Sequence, residues 1–243
     1  RVSFDLRAVA VCTNYTEAPG FSADPVPAAN PDANLPAPVA GSGATGAFEL
    51  GGQVWGFSQE VVDKMNSAGM SWVKRQGRYH SGDSGASVAG MINEAHGYGF
   101  KILISAVGEP AQMAAGDFDT YVAGYANYVG QIAAAGADAI EVWNEANIDR
   151  EWPTGQVNGA KYTQLLAAAY NAIKTANPNT IVVSGAPAPT GYAGSAGCID
   201  ALCNDDVFMQ QMADAGAASY MDCVGLHYNE GIMPPSANAG DPR

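Results

Sequence analysis

The sequence predicts an α/β protein of the (β/α)8 barrel type, with about six of the eight βα units present in the chain. From residue 47 onward, short apolar segments alternate with longer helical segments, and most helical segments end at a glycine. This alternation indicates βαβ units and a parallel sheet. The apolar segment at residues 139–144 also ends abruptly in polar side chains, which is typical of a buried strand that opens into a site.

Strands and helices are predicted in strict alternation along the chain. The strands are expected at residues 48–55, 70–79, 101–107, 139–144, 180–184 and 222–227. The helices are expected at residues 59–68, 87–96, 118–135, 159–176 and 205–215. Each predicted helix is followed by an expected end signal, and these are Gly69, Gly97, Gly136, Asn177-Pro178 and Gly216.

Closure of the predicted barrel requires more strands than the sequence supplies. A barrel of this type needs eight, so two further βα units are expected beyond residue 243 or from another chain. The competing interpretation is a complete doubly wound sheet of six strands. That architecture predicts a glycine-rich phosphate loop after the first strand, and residues 51–56 lack the GxGxxG spacing. We therefore favour the incomplete barrel.

Composition divides the chain into three parts. Residues 1–17 contain an apolar strand-like run, which is either the last strand of an upstream module or a strap packed on the barrel. Residues 18–46 are rich in Pro, Ala and Gly and are predicted to form an extended, partly polyproline-like linker. Residues 47–243 form the predicted partial barrel.

The charge balance limits the classes of partner. The chain of 243 residues carries a formal net charge of −13, with 11 basic residues, which argues against nucleic acid and anionic membranes. No apolar run is long enough to span a membrane. The composition suits a secreted, extracellular or cell-surface protein with a neutral ligand such as a carbohydrate. Because the chain begins at Arg1 without Met or a signal peptide, we expect a processed or excised product.

The chain has four cysteines, and their positions predict one disulfide. Cys198 and Cys203 flank a short loop, and a local disulfide is expected in an oxidising compartment, the alternative being two unpaired thiols. Cys223 lies in an apolar strand and is predicted to be a small core residue. No histidine lies near these cysteines in a zinc-binding pattern, so no zinc site is predicted. The sequence predicts no other metal and no cofactor.

The segment at residues 141–147, EVWNEAN, resembles the fourth-strand signature of the clan A glycoside hydrolases. These are retaining glycosidases on a TIM barrel, including cellulase-like and xylosidase-like members. Many read Trp-Asn-Glu-Pro here, and this chain has Ala146 in place of proline. The resemblance covers roughly residues 47–233. It implies that Glu145 is the general acid/base and that Asn144 contacts a sugar hydroxyl.

Glycosidase chemistry independently favours a carboxyl group at this position. Cleavage of a glycosidic bond requires a protonated carboxyl group beside the leaving oxygen, with its pKa raised by apolar or like-charged surroundings. Glu145, next to Trp143 at the end of a buried strand, is a reasonable candidate, although it could instead cap the next helix. Glu141 has the same strand parity, and we expect it to pair with Lys74 or Lys101 in the interior.

Several further residues are candidates for binding substrate. His227 and Tyr228 follow the sixth strand, where the resemblance implies a His and a Tyr lining the cleft; the usual spacing is His-x-Tyr, whereas here they are adjacent. Gln76 and Arg78 share one face of the second strand. The resemblance implies an arginine near the nucleophile here, either Arg78 or Arg75, the alternative being a structural ion pair. Three aromatic residues follow strand ends and could stack on sugar rings or instead pack in the core or loops, and they are Trp55, Trp152 and Tyr192. Trp143 is a further candidate for substrate binding.

A second carboxylate is essential for a retaining glycosidase. The resemblance places it at the end of a seventh strand, so the nucleophile is expected beyond residue 243. Glu109, after the third strand, is a rival carboxyl group for which a rim or helix-capping role is expected. Two functions follow as hypotheses. The first is a secreted glycoside hydrolase with a carbohydrate substrate, and the second is a non-catalytic carbohydrate-binding or assembly subunit derived from one.

Overall fold

The computed structural model of the protein describes residues 9–11, 35–41 and 48–227. Its strands in this part of the chain are β1 (Val9–Val11), β2 (Gly51–Gln53), β3 (Trp72–Arg78), β4 (Lys101–Val107), β5 (Ala139–Val142), β6 (Ile181–Ser184), β7 (Cys198–Ile199), β8 (Leu202–Cys203) and β9 (Val224–Leu226). Its α-helices are α1 (Gln59–Ser67), α2 (Ala89–Gly97), α3 (Pro110–Ala115), α4 (Phe118–Ala134), α5 (Gly159–Ala176) and α6 (Asp205–Asp214). Short 3-10 helices occupy Gly85–Val88, Gly194–Ala196 and Ala217–Tyr220.

Five strands of the described chain form one parallel sheet in the order β2-β3-β4-β5-β6, flanked by helices. The prediction of a (β/α)8-type barrel is therefore wrong, because the sheet has five strands and no closed barrel is present among the described residues. Periodicity locates strands, whereas closure depends on strand tilt and stagger, which periodicity does not encode. The strand order follows the chain without reversal, so the sheet is not doubly wound either.

The predicted sixth strand leaves the sheet after one contact. Cys223 forms a single parallel bridge with Val183 of β6. The next residues, in β9, pair antiparallel with β1, with Val11 opposite Val224 and Val9 opposite Leu226. The strand expected near the amino terminus is thus present at β1, and its pairing with β9 makes it part of this fold.

Strand alternation separates the two faces of the sheet. Residues such as Val73, Ile104 and Ile140 are fully buried in the main core, which the helices cover. The other face carries a small apolar cluster that includes Val183, and also the Lys74–Glu141 ion pair, whose Nζ–Oε2 distance is 2.6 Å. That pair confirms the expected interior role of Glu141.

Hydrogen-bonding side chains mark where the two longest helices begin. Asp117 precedes α4 and accepts a hydrogen bond from the Thr120 amide at 2.8 Å, while Asn158 precedes α5 and accepts one from the Lys161 amide at 3.0 Å. Each cap satisfies an amide that has no partner within its own helix. Gly136 follows α4 with φ of 97°, a left-handed conformation that suits glycine.

Residues 35–41, from the segment predicted as a linker, lie on the surface of α5. The Asn171 side chain accepts a hydrogen bond from the Val39 amide at 2.7 Å and donates one to the Ala37 carbonyl at 3.0 Å. The Tyr220 hydroxyl donates to the Pro36 carbonyl at 2.5 Å, and Leu35 packs against the main core. This part of the segment is therefore bound to the fold along its backbone.

The predicted disulfide is confirmed. Cys198 and Cys203 are bonded to each other and close the β7–β8 hairpin. Cys223 is buried, as predicted for a core residue, and it is also disulfide-bonded. None of the helices in the described ranges combines the length and apolar character needed to cross a membrane.

Candidate active site

The candidate site lies where β5 ends. The strand stops at Val142, and two non-glycine residues with left-handed backbones follow, Trp143 at φ 73° and Glu145 at φ 44°. Such conformations are uncommon for side chains of this size and cost of order 1–3 kcal/mol each. They persist only where the surrounding contacts hold them, and they concentrate at functional sites.

Trp143 is held in the core. Its side chain is fully buried, its ring lies 5.6 Å from the ring of Tyr125 and 5.2 Å from that of Trp152, and its indole Nε1 donates to the Glu151 carbonyl at 2.7 Å. Gly108 leaves room for the ring, because a Cβ there would lie 2.1 Å from Trp143 Cζ3. Trp143 and Trp152 are therefore core residues that support the site. For Trp152 this is the alternative of core packing, and burial of Trp143 does not favour its predicted contact with substrate.

Two buried tyrosines connect the carboxyl ends of adjacent strands. The Tyr125 hydroxyl donates to the Ala106 carbonyl at 2.7 Å and accepts from the Trp143 amide at 3.1 Å. The Tyr162 hydroxyl donates to the Val142 carbonyl at 2.8 Å and accepts from the Gly185 amide at 2.6 Å. Burial raises the pKa of both phenols, so they remain protonated donors. They satisfy backbone groups where the sheet ladder stops.

Glu145 reaches the carboxyl edge of the sheet, as predicted, and is only 5% exposed. Its Oε1 lies 2.9 Å from His227 Nδ1, and its Oε2 contacts Arg150 Nη2. Its backbone amide donates to the Ala186 carbonyl at 2.9 Å, which fixes the turn against the segment after β6. The structure thus brings together Glu145 and His227, which were predicted separately as acid/base and cleft-lining residue. Tyr228 lies outside the described residues.

The pKa of Glu145 differs from the expectation for a resting general acid. Burial raises it, but the hydrogen bond and charge of His227, together with Arg150, outweigh burial and leave the pKa below its ordinary value. The prediction of a raised pKa is wrong for this state, because it considered the apolar strand and omitted the two basic side chains. An ionised carboxylate only accepts hydrogen bonds, so His227 Nδ1 is the donor.

Arg150 and Glu151 belong to the site, and neither was predicted. Arg150 Nε lies 3.4 Å from Glu151 Oε1, so one guanidinium contacts the carboxylates of both Glu145 and Glu151. Burial raises the pKa of Glu151, and the charge of Glu145 adds to this rise, which Arg150 and Arg78 only partly offset. The signal in the sequence was the charged run at residues 149–151, directly after the strand-end motif.

The two asparagines of the motif have different environments. Asn144 is partly buried, and its side chain makes no hydrogen bond with any described residue, which leaves its amide available to a ligand. Asn147 is fully buried; it donates to the Ala188 and Cys203 carbonyls at 2.8 and 3.1 Å, and it accepts from the Ala188 amide at 2.7 Å. Asn147 thus joins the loop after β5 to the loop after β6 and to the disulfide hairpin.

The end of β3 contributes charge at the rim. Arg78 Nη1 lies 3.7 Å from Glu109 Oε2 and 3.3 Å from the Gly108 carbonyl oxygen, which gives Glu109 the expected rim position. Arg75 turns to the opposite face, where it pairs with Glu94 at 2.6 Å. Of the two predicted alternatives, only Arg78 is therefore placed at the site. Gln76 is exposed on the same face as Arg78.

Two of the predicted aromatic residues are exposed on loops that follow strand ends. Trp55 follows β2 and is 90% exposed, and Tyr192 follows β6 and is 83% exposed. Arg75 Nη2 donates to the Trp55 carbonyl at 2.8 Å, so the backbone that carries the indole is anchored. Exposed, anchored aromatic rings are available for stacking on a ligand.

No family model and no curated protein matches the chain. Within the described residues, no group of three or more His, Cys, Asp or Glu side chains is arranged to hold a metal ion. The site is therefore characterised by its own geometry, which comprises a buried carboxylate, an imidazole, a guanidinium and a second carboxyl group at the carboxyl edge of a parallel sheet.

Proposed function

We propose that this protein is a glycoside hydrolase that acts on a poly- or oligosaccharide, with Glu145 as the acid/base. The observation that carries the proposal is the position of Glu145, whose buried carboxylate lies at the carboxyl edge of the sheet on a left-handed backbone and contacts His227 and Arg150. Ligands of parallel α/β sheets bind at this edge. The resemblance of residues 141–147 to the glycosidase signature supports the same role.

Residues after β2, β5 and β6 supply other parts that such a reaction needs. Asn144 presents an unengaged amide that could hold a sugar hydroxyl, and Trp55 and Tyr192 present exposed rings. Glu151 supplies a second carboxyl group beside the first, joined to it through Arg150. Glu145 in this state is a base; it becomes a proton donor when it takes up a proton during the catalytic cycle.

A secreted or cell-surface location is part of the proposal. The Cys198–Cys203 disulfide supports it, because such bonds persist in oxidising compartments. The high net negative charge supports a neutral ligand over nucleic acid.

One observation favours a second candidate, a carbohydrate-binding protein without catalysis. The basic partners of Glu145 keep its pKa low, as expected for a carboxylate that only binds ligand or stabilises the loop. Turnover distinguishes the two functions, because both predict saccharide binding.

The test is hydrolysis of aryl β-glycosides and of cello- and xylo-oligosaccharides by the wild type and Glu145→Gln. We expect turnover by the wild type and a fall of about 10²–10⁴-fold in Glu145→Gln, with oligosaccharide binding retained. The control is Glu49→Gln, since Glu49 pairs with Lys101 at 2.7 Å at the opposite, amino-terminal edge of the sheet. Binding without turnover would favour the second candidate. Absence of both would refute the carbohydrate proposal.

A further inference from the structure

Arg150 is a mostly exposed cation shared by two much less exposed carboxylates. Its side chain is 69% exposed, while the side chains of Glu145 and Glu151 are 7% and 16% exposed. Nη2 contacts Glu145 and Nε lies 3.4 Å from Glu151, so the two contacts use different nitrogens of the same planar group. A guanidinium has five donors in a fixed fork, which allows it to bridge two acceptors in this way.

The two carboxylates depend on Arg150 to different degrees. Glu145 also has His227, which contacts its other oxygen at 2.9 Å. Among the described residues, the only ion-pair partner of the Glu151 side chain is Arg150. Arg78 also acts on Glu151 through its charge, and Arg78 is itself paired with Glu109 at 3.7 Å. Among the described residues, Arg150 is therefore the one side chain that contacts both carboxylates.

The position of Arg150 on the Glu145 carboxylate affects whether Glu145 can carry a proton. It covers Glu145 Oε2, while His227 covers Oε1. A general acid must direct a protonated oxygen at the leaving oxygen of the bond that it cleaves. If the proposed function is right, Arg150 opposes this step, because its charge disfavours protonation of Oε2, and the proton binds more readily when Arg150 moves away.

We propose that Arg150 is a positioning residue that sets the protonation state of Glu145, and that Glu151 draws Arg150 away from Glu145 by competing for it. This inference rests on the proposed function for its catalytic meaning. When the guanidinium lies on Glu151, Glu145 Oε2 takes one proton from solvent and can later give it to a leaving oxygen. When the guanidinium lies on Glu145, the carboxylate is ionised.

Exchange of Arg150 between its two partners is physically easy. An ion pair with a largely hydrated guanidinium is weak, because solvent and salt screen it. Once Arg150 has moved away, burial favours the protonated form of Glu145, since a buried carboxylate that loses a cation binds a proton more readily. A small movement of one exposed side chain thus has a large effect on the buried one.

The test is a carboxyl titration of the ligand-free protein by NMR, with ¹³C label at the glutamate side-chain carbons. Arg150→Met should shift the Glu145 midpoint to higher pH. Glu151→Gln should shift it to lower pH, because Arg150 then has a single carboxylate to bind and a negative neighbour is lost. The Glu145 midpoint of Arg150→Lys should lie between those of the wild type and Arg150→Met, because a lysine keeps the charge but lacks the guanidinium that bridges two carboxylates.

The control variant is Lys101→Met, which removes one positive charge at the opposite edge of the sheet and should leave the Glu145 midpoint unchanged. An unchanged Glu145 midpoint in Arg150→Met overturns the proposal, as does an upward shift in Glu151→Gln. Because the titration uses the protein without saccharide, its result does not depend on the outcome of the hydrolysis assay. Absence of turnover would refute the proposed function while the titration still decides the role of Arg150.

Discussion

At the scale of single residues, the two left-handed positions after β5 decide what the motif does. In a continuing strand, Trp143 and Glu145 would face the same side as Glu141. The left-handed backbone of Trp143 instead turns its ring into the helix-covered core, while Glu141 stays on the other face with Lys74. Glu145 is then directed to His227 and Arg150 at the edge of the sheet. The site thus depends on a local backbone that strand alternation does not describe.

The two carboxyl groups of the site are expected to respond to pH in opposite directions. The pKa of Glu145 is lowered from 4.5, so the unfolded chain binds more protons and stability rises with pH through that window. The stabilisation that Glu145 contributes is lost as pH falls through the lowered pKa. The pKa of Glu151 is raised from 4.5, so the folded protein binds more protons, and its contribution falls as pH rises through the raised pKa.

We therefore expect Glu145→Gln to lower the free energy of unfolding at pH 7 by about 1–3 kcal/mol, because His227 and Arg150 lose a charged partner. The loss should shrink toward pH 3. Glu151→Gln should raise stability at pH 7 by about 0.5–1 kcal/mol, and the gain should also shrink in acid. Urea denaturation at several pH values measures both. Parallel pH profiles for the two variants would contradict the assigned pKa directions.

At the scale of elements, helices α4 and α5 shape the site through hydroxyl groups. Tyr125 and Tyr162 project from these helices to the backbone where β4, β5 and β6 end. Each phenol accepts from one strand end and donates to the adjacent one. Tyr162 thereby pairs the Val142 carbonyl and the Gly185 amide, whereas at Tyr125 the Trp143 amide also donates directly to the Ala106 carbonyl at 2.9 Å. The loops that carry Glu145 and Gly185 begin at these points.

Removal of one such hydroxyl should be costly. Tyr162→Phe leaves the Val142 carbonyl and the Gly185 amide without that partner, and we expect a loss of about 1–3 kcal/mol. The matched control is Tyr170→Phe in the same helix, since the Tyr170 hydroxyl makes no hydrogen bond with the described residues and the change should cost much less. Chemical denaturation compares the two. Equal losses would show that the hydroxyl of Tyr162 does not support the strand ends.

At the scale of the whole molecule, Lys174 connects parts that are distant in sequence. Its side chain is fully buried at the end of α5, and Nζ contacts the Thr180 carbonyl at 2.9 Å and Asp222 Oδ2 at 2.6 Å. Asp222 also accepts from the Val182 amide at 2.7 Å. One buried charge pair thus joins a helix, the start of β6 and the segment that leads into β9 and His227.

We expect Lys174→Met to lower the free energy of unfolding by about 3–5 kcal/mol, because Asp222 would keep a buried charge without its cation. The control is Lys64→Met, since Lys64 forms an exposed pair with Glu60 at 2.5 Å and should contribute about 0–1 kcal/mol. Denaturant unfolding of both variants provides the comparison. A similar small loss in each would mean that the buried pair does not hold these elements together.

Local sequence patterns predicted much of the secondary structure and little of the electrostatics. The expected strand at residues 101–107 and the expected helix at residues 159–176 coincide with β4 and α5, because apolar periodicity and end signals act over a few neighbouring residues. The disulfide was predictable for the same reason. Arg150 and Glu151 were missed, because a charged run in a sequence does not reveal which carboxylates its arginine will contact.

By itself the sequence determined an α/β chain of alternating strands and helices, with Glu145 at the end of a buried strand and a short-range disulfide. These features follow from interactions between residues that are close along the chain. Only the tertiary structure decided that the sheet has five strands without closure, that Trp143 turns into the core, and that His227 and Arg150 lower the pKa of Glu145. Strand tilt and through-space charge depend on distances between residues that the chain order leaves open.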